Sequence, residues 1–339
     1  MRVVHVGNQS LRRYGAVYYA VERKLSNGFV RDGDFVYDLS DRDTARMESL
    51  LRSKRFGRKK LNQVLLKTVD NLRPDLLLLG HTELFAESTL DEARKLSPGM
   101  RIAQWNVDPI WGEAVDVHLR QRLPHVDAFF CTTAGDWMDP WRNLGAKVHY
   151  LPNPVDPSVE ILRNDEKDDL PLDLLYCGHD YKDESRQAFL RQLKSSAETQ
   201  KIAFRHCGCL GADSVFGHRY IETLAESRMG LNFSRSNKMP YYSSDRIGQL
   251  TGNGLLTLTQ ETPGLRELFA GDEMVFFDTI EELLEHVAYF RVNDAEAREI
   301  ARRGRERAHR SYNSQRVARF IKEVAFGQAL SDEYEWANA

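Results

Sequence analysis

Three clusters in this 339-residue chain combine residue types that suit phosphate and hydroxyl chemistry. The first runs through 229–277, where Ser234, Tyr242, Ser243, Arg246, Gln249, Glu261, Gly264 and Leu265 fall in or beside the breaks between apolar stretches. Asp245 or Ser244 is placed to cap a helix, and the free amides of such an N-terminus attract phosphate. Arg246, in the first turn, adds a forked cation that fits a diphosphate; the plain alternative is a helix cap beside a surface arginine. The second cluster is Cys177-Gly178-His179-Asp180-Tyr181-Lys182, with Arg186 beyond it. Glycine there lets an anion approach the backbone. Lys182 and Arg186 are four apart and share a helix face if the helix starts early; two solvated charges remain the alternative. The third cluster holds Asn8, His81 with Glu83, and Trp105-Asn106-Val107-Asp108 with Trp111. Asp108 and His81 are candidate general bases for a hydroxyl. Their plain readings are a turn former before Pro109 and a hydrogen-bonded loop histidine.

Positioning these residues requires strands that end where the clusters begin. The first half alternates apolar strands (3–6, 35–38, 75–79, 101–105, 128–132, 147–150) with helical patterns (16–25, from about 44, 61–72, 88–95, 114–123, 136–144). The continuous run of leucines at 76–79 is typical of a strand buried on both faces, as in a parallel sheet. The rhythm breaks at Leu151-Pro152-Asn153-Pro154-Val155-Asp156-Pro157 and restarts at 172. The expected organisation is therefore an N-terminal domain over 1–152, a linker over 153–171, a second domain over 172–312, and a crossover helix with an acidic tail over 313–339. The expected fold is α/β: two doubly wound Rossmann-like domains facing across a cleft, with the last helix packing back toward the first domain. In such sheets, ligands lie beyond the carboxyl ends of the strands, where all three clusters fall.

The stretch 174–320 resembles the group-1 glycosyltransferases, and within them the spore-maturation CgeB-like branch. The resemblance rests on Ser243, Arg246, Gly254, Gly264-Leu265, Glu267-Leu268-Phe269 and Gly271-Asp272-Glu273. It continues through Glu281-Glu282-Leu283, Ile300-Ala301, Gly304-Arg305, His309 to Tyr312 and Arg316, and more weakly through Pro74-Asp75, Gly80-His81-Thr82 and Leu151-Pro152-Asn153. It implies the GT-B architecture and metal-independent transfer of a sugar from a nucleotide-sugar donor to a glycan, lipid-linked or other hydroxyl acceptor. No cofactor is implied. The donor would lie on the second domain against Gly178, His179, Lys182, Arg186, Ser234, Tyr242, Ser243, Arg246, Gln249, Glu261, Gly264 and Leu265. The acceptor would lie on the first domain against Asn8, Glu83, Trp105 and Trp111, with Asp108 or His81 as base. Gln249 departs from the family, which has a glutamate there to grip the donor ribose. Two other classes fit the same architecture: a nucleotide-sugar epimerase, or a catalytically silent binding protein.

Composition narrows the field. A net charge of −3 argues against a general nucleic-acid binder. The chain has no Gly-x-Gly-x-x-Gly turn after its first strand and no phosphate-loop signature, which excludes the usual dinucleotide enzymes and P-loop kinases. His206-Cys207-Gly208-Cys209 lacks a second ligand pair, so no metal is expected. The chain shows no spanning segment or signal peptide, and a cytoplasmic location is expected. Arg52-Ser53-Lys54-Arg55-Phe56-Gly57-Arg58-Lys59-Lys60 reads as a solvated face or as a peripheral contact with anionic membrane at its inner face.

Overall fold

The computed structural model describes residues 1–339 except His81, Trp111 and Lys182, and only the backbone at Ala114. Two compact units emerge. The first comprises 1–154, 239–241 and 312–339, and the second 155–238 and 242–311.

The first unit is built from β1 (Arg2–Gly7), α1 (Val21–Arg31), β2 (Phe35–Ser40), α2 (Asp41–Met47), α3 (Lys54–Leu72), β3 (Leu76–Leu79), α4 (Glu87–Leu96), β4 (Arg101–Asn106), α5 (Glu113–Arg122), β5 (Ala128–Cys131), α6 (Asp139–Arg142) and β6 (Lys147–Tyr150). Its six strands run parallel in the order β2-β1-β3-β4-β5-β6. The second unit contains β7 (Leu172–Cys177), α7 (Glu184–Thr199), β8 (Phe204–Cys207), α8 (His218–Ala225), β9 (Ser227–Asn232), α9 (Arg246–Gly252), β10 (Leu256–Gln260), α10 (Leu265–Leu268), β11 (Val275–Phe277), α11 (Ile280–Val292) and α12 (Asp294–Ser311). Its five strands are parallel in the order β11-β10-β9-β7-β8. The last helix, α13 (Ser314–Phe326), belongs to the first unit and packs on α1.

The sheets form where apolar runs hide on both faces: Leu76 to Leu79 are fully buried, as are Ala128 to Cys131. In each sheet the order in which successive strands are added reverses once. The reversal falls between β1 and β3 in the first unit and between β7 and β9 in the second. A crevice opens at such a point because the two connections leave on opposite faces.

Several elements differ from expectation. The helix expected at 16–25 starts at Val21, because turns occupy the preceding stretch, with Ser10 and Tyr14 in the left-handed region. The helix expected over 136–144 is a short 3-10 turn followed by the four-residue α6, with Pro140 in its first turn. The basic run 52–60 opens α3, whose helix starts seven residues before the expected 61. The proline-rich stretch expected as a linker is packed from Val155 onward: Val155, Asp156 and Asn164 are fully buried, and Asp165 holds Arg305 at 2.9 and 3.0 Å. The acidic tail folds back, with Trp336 buried and Asp332 and Glu335 both paired to Arg316. No helix of the described residues is long and apolar enough to cross a membrane.

A buried polar chain ties β1 to β4. Trp105 Nε1 donates to His5 Nε2 at 3.1 Å, His5 Nδ1 meets Ser26 Oγ at 2.8 Å, and Ser26 donates to Asp38. Accepting from the indole requires a neutral imidazole. Burial, opposed by Asp38 and aided by Arg23, lowers the His5 pKa to about 4. The unfolded chain therefore takes up a proton near pH 6.5 that the folded one refuses until about pH 4. Stability falls as pH drops through that window, by up to about 3 kcal/mol from this group. Urea unfolding of the wild type and His5→Gln at pH 7.5 and 4.5 checks it. The wild type loses more stability than the variant, and equal losses in the two proteins refute the assignment.

Candidate functional site

The loops at the crevice of the second unit are stitched by two arginines. Asp183 caps α7 by accepting from Arg186 N at 3.1 Å, which fixes Arg186 in the first helical turn. Its guanidinium, only 6% exposed, points back under the sheet ends. Nε donates to His179 O at 2.9 Å and Nη1 to Ser234 O at 2.8 Å. Nη2 donates to Phe233 O at 2.7 Å and to the Tyr176 hydroxyl. Four donor contacts thus bind the loop after β7 to the loop after β9, over the face of Phe233 at 4.8 Å. Neither a solvated charge nor a flexible surface ligand describes this side chain.

Arg246 reaches the same place from α9. Nε donates to Cys177 O at 2.7 Å, and Nη1 donates to Phe233 O and Ser244 Oγ at 3.2 and 3.1 Å. The guanidinium lies over the Tyr176 ring at 4.9 Å. Among the described residues, no acceptor takes a hydrogen bond from its Nη2. A Cβ built on Gly178 would sit 2.4 Å from that Nη2 and 2.7 Å from the Tyr176 hydroxyl. Gly178 is therefore bare to admit Arg246, where the sequence suggested a cradle for an anion.

Other expected donor residues divide by burial. Tyr242 and Ser243 are buried; Ser243 Oγ accepts from Asn232 at 3.0 Å and so braces the strand end. Ser234 Oγ accepts from Ser244 N at 3.0 Å. His179 is exposed, its ring against exposed Tyr181, over which Arg235 lies at 4.8 Å. Gln249 donates to Asp245 Oδ2 and accepts from the Tyr220 hydroxyl, both at 2.5 Å. The side chain of Asp245 makes no capping bond, so the expected side-chain cap of the seven-residue α9 is absent at that residue. Glu261 is held bidentate by Arg266, with contacts down to 2.6 Å. Gly264 adopts φ +78 at the start of α10, while Leu265 is buried with its N–H bound to Thr262 O. Lys182 lies outside the described residues.

In the first unit, Asn8 borders the cavities after β1. Glu83 and Asp108 are exposed after β3 and β4, and Asn106 Oδ1 accepts from Asp108 N at 2.9 Å to shape the turn. Trp105 is 1% exposed and committed to His5, so it offers no surface to an acceptor, contrary to expectation. The indole reaches β1 by crossing Gly80, where a Cβ would meet Trp105 Cζ2 at 2.8 Å. His81 and Trp111 lie outside the described residues. Among the described residues, no cluster of three or more His, Cys, Asp or Glu side chains could hold a metal.

Sequence reasoning missed Tyr176, Phe233 and Asp183. Tyr176 was detectable as a hydroxyl inside an apolar strand, which must find a partner when buried. Asp183 three residues before Arg186 is an N-cap pattern. The role of the Phe233 carbonyl has no sequence signal.

Residues 186–323 match a family model described as glycosyl transferase-like. Solved structures agree along nearly the whole length. Sucrose-phosphate synthase (tll1590) from Thermosynechococcus elongatus aligns at TM-score 0.61 and 11% identity, over 96% of this chain and 99% of that one. Anabaena Alr3699/HepE, in complex with UDP, aligns at 0.55 and 10%, over 96% and 100%. A glycosyltransferase from Rickettsia africae ESF-5 aligns at 0.59 and 10%, over 96% and 98%. The fold is GT-B. No curated protein matches the sequence significantly. Within this fold, the glycosyl transferase-like stretch begins at Arg186 and contains Arg246.

Replacing Arg186 by Ala strands the carbonyls of His179 and Ser234 and is expected to cost about 3 kcal/mol. Lys, with its donors on one nitrogen, is expected to recover little. Urea denaturation measures both; a loss under about 1 kcal/mol for Arg186→Ala contradicts the stitching role.

Proposed function

We propose that this chain is a glycosyltransferase that moves a sugar from a nucleotide-sugar donor to a hydroxyl on a glycan or lipid-linked acceptor, without a metal. The observation that carries the reading is Arg246: a guanidinium at the β7/β9 reversal, fixed on three sides, with Nη2 uncommitted among the described residues. A pre-oriented cation there stabilises the negative charge that gathers on a departing nucleoside diphosphate, and its cost of ordering has already been met in folding. Arg186 holds the floor of the site and adds charge from below. Asp245, oriented by Gln249, offers a carboxylate to the donor ribose, and Glu261 to Leu265 line the sugar. Asp108 is the proposed base in the acceptor-binding first unit, with Asn8 and Glu83 as acceptor contacts. The nucleotide-sugar class is supported by the resemblance of the donor-side motifs, closest to the CgeB-like branch, and by UDP in a structural neighbour.

A thermal-shift panel of UDP-, GDP-, dTDP-, ADP- and CMP-sugars tests the donor. At about 100 times its dissociation constant, the right donor stabilises the fold by about 2.7 kcal/mol. Arg246→Gln removes most of that stabilisation, and excess EDTA leaves it intact. If no nucleotide sugar stabilises the wild type, the reading fails. Turnover of the donor without an acceptor, yielding an isomer, would assign the epimerase class instead.

The exposed cations of 52–60, around a 68% exposed Phe56, are proposed to touch anionic membrane from the cytoplasmic side. Co-sedimentation with phosphatidylglycerol vesicles should exceed that with phosphatidylcholine. It should drop when Arg55 and Lys59 become Gln, and equal binding to both vesicles refutes the contact.

A further inference from the structure

The first unit carries a second concentration of cations that the donor reading does not use. Beyond the carboxyl ends of β1 and β2 lies a cavity of about 420 Å³ lined by Arg12, Arg13, Arg42, Arg46 and Asp43, with Asn8 and Ser10. An adjoining cavity of about 520 Å³ shares Arg12 and Arg46 and adds Arg52, Lys60 and Glu48. Six cations thus face two carboxylates. Asp43 is 2% exposed and already accepts from Leu11 N at 2.8 Å and Ser40 Oγ at 2.7 Å, leaving only a 3.9 Å approach to Arg46. Among the described residues, neither Arg12 nor Arg42 forms an ion pair.

The backbone is arranged to hold this geometry. Arg12 and Arg13 ride on a single turn flanked by Ser10 and Tyr14, both at φ 50. Non-glycine residues in that region carry a strain of order 1 kcal/mol or more each, which surrounding contacts must hold in place. Here the contact is Asp43, which grips the turn at Leu11. Arg12 and Arg42, gathered beside Arg46 with no ion pair of their own among the described residues, repel one another, and an anion that fits between them removes the penalty.

A second observation lies beside the first. Leu50, Met47 and Leu51 are 102%, 76% and 72% exposed. Met47 and Leu50 also line the wall of the larger cavity. Charge and apolar surface so placed match a molecule with an anionic head and an apolar tail.

We infer that this cavity binds a phosphate or diphosphate ester, with Arg12, Arg42 and Arg46 on the phosphate and Met47, Leu50 and Leu51 on an apolar chain. Its assignment as the acceptor's anchoring group rests on the glycosyltransferase reading; the anion site itself does not.

The experiment is calorimetric titration of the full chain with inorganic pyrophosphate, inorganic phosphate and dodecyl phosphate below its micelle concentration. It is run in an Arg246→Gln background so that the donor loops contribute little. Pyrophosphate binding is expected to persist in that background. Adding Arg12→Gln with Arg42→Gln should weaken it by at least about tenfold, whereas Lys67→Gln with Lys95→Gln, exposed and outside the cavity, should leave it unchanged. Dodecyl phosphate is expected to bind more tightly than inorganic phosphate, and Leu50→Ser with Leu51→Ser should erase that difference alone. Pyrophosphate binding that disappears with Arg246→Gln, or that survives the Arg12/Arg42 change, overturns the anion site. Equal affinity for dodecyl and inorganic phosphate overturns the amphiphile. Stabilisation of the wild type by nucleotide sugars, measured separately, reports on the donor reading whichever way these outcomes fall.

Discussion

The carbonyl of Phe233 accepts from two guanidinium groups at once, Arg186 at 2.7 Å and Arg246 at 3.2 Å. Much of the second unit follows from that sharing. Two like charges converge on one oxygen at the end of a buried strand, where water screens them poorly. They stay because each is fixed by further acceptors and because both lie against the Tyr176 ring, whose face favours cations. Gly178 must then have no side chain, and Asp183 must cap α7 to bring Arg186 round. Three carboxylates of these loops have partners of their own: Asp183 in capping, Asp245 with Gln249, Glu261 with Arg266. The two guanidinium groups thus form a cationic seat fixed by backbone acceptors.

Gln249 becomes intelligible in the same terms. Its amide donates to the Asp245 carboxylate and accepts from Tyr220, one bond of each sense. A glutamate could make only the second, and its charge would face that of Asp245 across a 2.5 Å contact. Neutral glutamine removes the repulsion and leaves the negative charge one helical turn earlier.

The first unit solves an opposite problem. At His5 it buries an imidazole that must be neutral, and the Trp105 indole enforces this by demanding an acceptor. At the ends of β1 and β2 it gathers charges that stay wet. One sheet thus holds a dry, neutral histidine in its interior and arginines at its carboxyl edge.

The order of elements was legible in the chain because two-faced burial writes an unbroken apolar run, as in Leu76 to Leu79, and because glycine and proline mark the breaks. So was the position of the loops that follow β7 and β9, since breaks after apolar runs mark the strand ends. Arg246 stood out by its place at the start of a helix. What the chain alone left open was partnership. Trp105 and Asp108 look equally available in a linear reading, yet the first is buried against a histidine one hundred residues away and the second is exposed. Arg186 looks like half of a solvated pair, yet its acceptors come from the loops after β7 and after β9, which only folding brings together. Local propensity and periodicity are written in neighbouring residues. Burial, hydrogen-bond saturation and the pairing of charges are set by residues far apart in sequence, and those the tertiary structure alone decided.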